Sequence, residues 1–82
     1  MMDKATRAQH AEHLMNDEVL QEGFTVAYQR QCDIFTHKLA TDEEVLAARR
    51  MALAIREVQS QMRSFITDGK IIEKRNQDRV ND

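Results

Sequence analysis

The chain has 82 residues, no proline, two glycines and one cysteine, and it carries 12 basic and 14 acidic side chains for a formal charge of −2. That length allows one domain near the lower limit for a self-sufficient core, and a single cysteine excludes an internal disulfide. The charge is spread evenly: residues 1–40 hold four basic and six acidic groups, residues 41–69 four and five, and residues 70–82 four and three. This spread lacks the basic excess that non-specific nucleic-acid binding uses.

Abundant Ala, Gln, Glu, Arg, Leu and Met, with only Gly23 and Gly69 to interrupt them, predict an all-α protein. Asp3, Lys4 and Arg7 are followed by no apolar core region, which argues against a secretory signal. The longest all-apolar run, Met51 to Ile55, is far short of the roughly 20 residues that span a bilayer. The expectation is an intracellular, soluble protein with no membrane contact.

The first predicted helix covers residues 3–15 and is weak, with Ala8, Ala11, Leu14 and Met15 on one narrow side. Asn16-Asp17 offers a stop and a fresh N-cap, so a second helix is expected over 17–39. Its apolar arc holds Leu20, Phe24, Ala27, Tyr28, Cys32, Ile34, Phe35 and Leu39, interrupted by Gln31 and Lys38. Gly23 weakens it locally by about 1 kcal/mol.

The third helix, over 41–68, has the clearest signals. Thr41-Asp42-Glu43-Glu44 reads as a capping box, in which the Thr41 hydroxyl accepts from the Glu44 amide while the Glu44 carboxylate reaches back. The three acids also meet the positive end of the helix dipole. Gly69 suits a left-handed closing residue, and residues 70–82 then form a short helix or a frayed tail. Ala47, Ala48, Met51, Ala52, Ala54, Ile55, Val58, Met62, Phe65 and Ile66 share an arc of about 160°.

The short connection at Ala40 predicts that the two long helices fold back as an antiparallel hairpin. One neighbour needs only about 100° of apolar face on each helix, so both arcs exceed what a hairpin hides. Self-association or docking on a larger protein is the expected remedy.

Five residues stand out as partner-binding candidates on the third helix. Arg49, Arg56 and Arg63 recur every seven residues, and none has an acid three or four positions away. Folding the hairpin at Ala40 sets Arg63 near Glu18 and Arg49 near Asp33, but offers Arg56 only a diagonal reach to Glu22. Leu46 and Leu53 lie on the polar side of the third helix, as Val19 and Val26 do on the second. They make either ordinary exposed residues or a second seam for another subunit.

His10 and His13 are spaced three apart, where a zincin pair needs four, so neither a metal nor another cofactor is expected. Cys32 reads as a small core residue. No nucleophile triad or glycine-rich phosphate loop is present, which gives no support to an enzyme.

The segment from Ala11 to Phe24, AEHLMNDEVLQEGF, together with the arginine-bearing third helix and Asp68-Gly69-Lys70, resembles a group of small helical proteins encoded among head and packaging genes of tailed phages and prophages. Gly23 stands where that group usually has alanine. The resemblance implies a non-enzymatic structural or assembly role, with the protein in the host cytoplasm during assembly and then in the virion. It implies binding to itself or to a larger virion protein, and it names no binding residue. The second reading is a small helical regulatory or inhibitory module that binds one host protein.

Overall fold

A computed structural model describes residues 2–80. Three helices account for nearly all of them: α1 (Lys4–Met15), α2 (Glu18–Thr36) and α3 (Asp42–Val80).

Each helix starts where a side chain satisfies the free amides of its first turn. Asp3 Oδ1 accepts from the Thr6 amide at 2.8 Å, and Asp17 Oδ1 accepts from the Leu20 amide at 2.8 Å. At α3 the expected capping box is complete: the Glu44 amide donates to Thr41 Oγ1 at 3.2 Å, and Glu44 Oε1 accepts from the Thr41 amide at 3.3 Å and its hydroxyl at 3.0 Å.

Two ends differ from the sequence expectation. α2 stops at Thr36, three residues early. The β-branched Thr36 turns its hydroxyl back to the Cys32 carbonyl at 2.9 Å, and His37 leaves the helix with ψ near 127°. The connecting residues then bond among themselves, Ala40 N donating to the His37 carbonyl and Leu39 N to His37 Nδ1. Leu39, expected in the apolar arc, is 82% exposed.

The larger difference is at Gly69, which does not end α3. The helix runs through it to Val80 with no positive φ, so there is no separate tail or fourth helix over residues 70–80. Asn81 and Asp82, the end of the expected tail, lie outside the described residues.

What Gly69 does instead is admit α1. A Cβ built there would overlap the Ala8 Cβ, with Ala8 Cα 3.7 Å and the Lys4 carbonyl oxygen 4.0 Å away. The missing side chain lets the two backbones approach closely, and Ala8 and Ala11 become buried.

At 1.5 Å per residue α3 is about 58 Å long and α2 about 28 Å, so one cannot cover the other. α2 lies along the first half of α3, with Tyr28 beside Arg56 and Phe24 beside Gln59. α1 lies along the second half, with Ala8 on Gly69 and Arg7 on Phe65. The hairpin is therefore real only over part of α3, and α1 and α2 share one long spine. The contacts between α1 and α2 themselves are few.

The spine's contact seam is regular. Val45, Ala48, Ala52, Ile55, Gln59, Met62, Ile66 and Gly69 alternate three and four residues apart, and each is buried or half-buried. Gln59, at the edge of the expected arc, sits within this seam.

Candidate interaction surface

The seam divides the wide apolar arc of α3 in two. Ala48, at its centre, is 2% exposed. The other part of the arc, Ala47, Met51, Ala54 and Val58, is exposed, with Met51 at 53% and Val58 at 51%. At 100° per residue this second stripe is centred about 90° round α3 from Ala48. Further along, Phe65 continues the same side but is half-buried, because α1 has reached it and Arg7 lies over its ring at 4.1 Å. The first half of α3 has no such cover.

The five residues singled out from the sequence are all exposed and fall on two other sides of α3. Leu46 and Leu53 lie about 160° and 140° from Ala48, on the outer back of the helix. Val26 and Val19 lie about 160° and 140° from Phe24, on the outer back of α2. α1 covers neither pair. They point away from each other across the hairpin, so they do not form one joint seam.

The arginines line the edge of α3 opposite the Met51 stripe. The Arg56 guanidinium stands 4.7 Å from the centre of the Tyr28 ring, so the arginine without an acid across the hairpin is engaged by an aromatic face instead. Arg63 borders the same shallow cleft, beside Phe24, Thr25 and Gln59. Arg49 is exposed near the α3 N-terminus.

Sequence reasoning missed Arg7. Its Nε is buried without a hydrogen-bond partner, and the charge is met by the face of Phe65. The signal was present as an arginine one residue from the alanine side of the first helix. Its aromatic partner, 58 positions along the chain, becomes visible only when the helices cross.

Gathered groups suited to chemistry are sparse. Among the described residues no cluster of three His, Cys, Asp or Glu is placed to hold a metal ion, and His10 and His13 are exposed beside Gln9 and Leu14. Cys32 is a free, half-buried thiol. Among the described residues no helix is long and apolar enough to cross a membrane. No protein-family model, no curated protein and no solved structure matches the chain.

The quantity that defines the surface is its size. The chain exposes 6940 Å², whereas a compact monomer of 9.6 kDa exposes about 5,100 Å². The radius of gyration is 17.9 Å, against about 12 Å for a compact domain of this length. Among the described residues the buried hydrophobic set is three alanines, Ala8, Ala11 and Ala48.

Proposed function

We propose that this chain is a non-enzymatic structural or assembly protein of a phage particle, working by self-association or by docking on a larger virion protein. The observation that carries the binding part of this reading is the surface excess of roughly 1,800 Å² over a compact chain of equal mass. Large side chains, Leu46, Met51, Leu53 and Val58 among them, are about half exposed on that surface. Exposed apolar area of this kind is usually a contact surface on a protein that keeps company. The phage assignment draws its support from the resemblance of residues 11–24 and 68–70 to small helical phage proteins.

In this reading Leu46, Leu53, Arg49 and Arg63 reach a partner, and Arg56 joins them from its seat on Tyr28. The protein is made in the host cytoplasm and is carried into the virion. Mass spectrometry of purified particles tests this: the chain is expected at a fixed copy number, and its consistent absence would defeat the assignment.

A second reading, a helical module that binds and regulates one host protein, is favoured by the Arg56–Tyr28 edge. There a cation, an aromatic face and Arg63 border one cleft suited to an acidic peptide. Its mark would be one host protein recovered stoichiometrically from infected cells by the tagged chain, with none in particles.

A further inference from the structure

The stripe Ala47, Met51, Ala54, Val58 has spacings of four, three and four residues, the same from either end, while its sizes run small, large, small, large and so invert when read backward. We propose that a second copy of the chain occupies it, α3 packing antiparallel on α3 about a two-fold axis between Ala52 and Leu53. In that register Met51 sits over the partner's Ala54 and Ala47 over the partner's Val58. Every layer then sets a large side chain against a small one, which lets the helices close without voids. A parallel pairing stacks Met51 on Met51 and Ala54 on Ala54, giving alternately crowded and empty layers.

Charge selects the same arrangement. Arg50 and Glu57 flank the stripe on its outer edge and are exposed. Neither has an opposite charge three or four residues away on its own helix, so each is left unneutralised by α3 itself. When two helices run antiparallel, like edges meet. Arg50 then lies beside the partner's Glu57, and the two-fold axis repeats the pair.

The inner edge fits as well. On α2 the side away from Tyr28 carries Gly23, Ala27 and Ile34, and nothing stands within 4 Å of the place where a Gly23 Cβ would be. The same axis brings the two copies of α2 side by side, with Ile34, 38% exposed, on the edge that faces the partner. The product is a four-helix bundle whose second seam supplies the cover that α3 lacks over its first half. A standard interface buries approximately 800 Å² per partner, which is less than the roughly 1,800 Å² of total surface by which the chain exceeds a compact one.

The inference rests on reading the exposed surface as protein-binding, and its test is separate from that of the phage role. Full-length chains carrying Cys32→Ala are prepared with either Met51→Cys or Ala54→Cys. Cross-linking needs Cα atoms within about 7 Å, so on mild oxidation the mixture should form disulfide heterodimers about tenfold faster than either chain alone. Dominant self-cross-linking of the Met51→Cys chain would mean parallel pairing and overturn the proposal, as would a monomer in sedimentation from about 1 to 100 μM, the range that brackets ordinary affinities.

Charge reversal supplies the second measurement. R50E should weaken self-association about tenfold with helicity unchanged, and the double variant R50E/E57R should restore it. An R50E chain that associates as before overturns the register. A chain found in particles yet monomeric throughout removes the two-fold pairing and leaves the structural role standing, whereas an antiparallel dimer absent from particles does the reverse.

Discussion

The two halves of α3 solve the same packing problem with different materials. The C-terminal half meets α1 through small residues, Ala8 against Gly69, and Ala8 and Ala11 become buried. The N-terminal half has the buried Ala48 in its seam and meets α2 beyond it through larger groups, Phe24 and Tyr28 beside Gln59, yet no residue of α2 itself is buried. Burial is set here by how closely backbones approach, not by how apolar the side chains are. Small residues bring the helices together and seal the contact. Ala48 plays that part in the N-terminal half, but the larger groups around it leave the flanks of that contact open to water and to another chain.

The largest effect is expected where the approach is closest. Gly69→Val places methyl groups where Ala8 and its backbone already stand, so overpacking should reach the upper end of its usual range, about 3 kcal/mol. The better helix propensity of valine returns only a few tenths of that. Urea denaturation should show a net loss of about 2 kcal/mol or more, with α1 the first segment cut by protease. Adding Ala8→Gly to a Gly69→Ala chain should recover space, giving a coupling of about 1 kcal/mol in a double-mutant cycle. Independent effects would break the contrast between the halves.

In the other half the comparable change removes volume. Phe24 is half-buried, so Phe24→Ala should cost about 2 kcal/mol, below the 3–5 kcal/mol of a fully buried phenylalanine. A cost in the full range would show that the α2 contact is as tight as the α1 contact, and the distinction would fall. Thr41→Ala ranks below both. It removes the acceptor of the Glu44 amide and one partner of the Glu44 carboxylate, for about 1 kcal/mol of stability in thermal or chemical unfolding. Because the Thr41 hydroxyl bonds to Glu44 in the first turn of α3, far along the helix from Gly69, the loss should be the same whether or not α1 is weakened by Gly69→Ala.

That cap also marks the limit of what the sequence reveals. The Thr41–Glu44 box and the Asp17 cap were legible because all their atoms lie within four residues of one another. The end of α2 was misplaced by three residues, since nothing in Thr36-His37-Lys38-Leu39 announces that the Thr36 hydroxyl bonds backward. Gly69 was misread for a deeper reason. Locally, a glycine after an amphipathic run favours a stop, and only the arrival of Ala8, 61 positions away, turns it into a crossing point. The same holds for the candidate surface. Arg56 is legible as an arginine lacking an acid, but the helical period assigns Tyr28 to the apolar arc, which hides it as a partner. The wide arc of α3 was correct as a set of residues. Its division into a covered seam and an open stripe depends on where α2 lies.

The smallest predicted effect separates, within the α1 half, the helix cap from the glycine contact by pH. Asp3 opens α1, and its carboxylate accepts the Thr6 amide at 2.8 Å. That bond first, and the Thr6 side chain second, hold the Asp3 carboxyl below its ordinary value of 3.8. A group depressed in the folded state adds stability above its unfolded value, and the contribution is lost as pH falls through the lower folded value. The cap is therefore intact at neutral pH and weakens only below the ordinary carboxylate range. The Thr6 amide should lose hydrogen-exchange protection in that window while the amides of α3 at the Gly69 crossing keep theirs. Asp3→Asn keeps a capping oxygen and removes the charge, so its Thr6 amide should show no such acid step. If Gly69 and Thr6 open together as pH falls, then α1 is held by its cap rather than by the glycine contact, and the close approach of the two backbones is not what secures that half of the molecule.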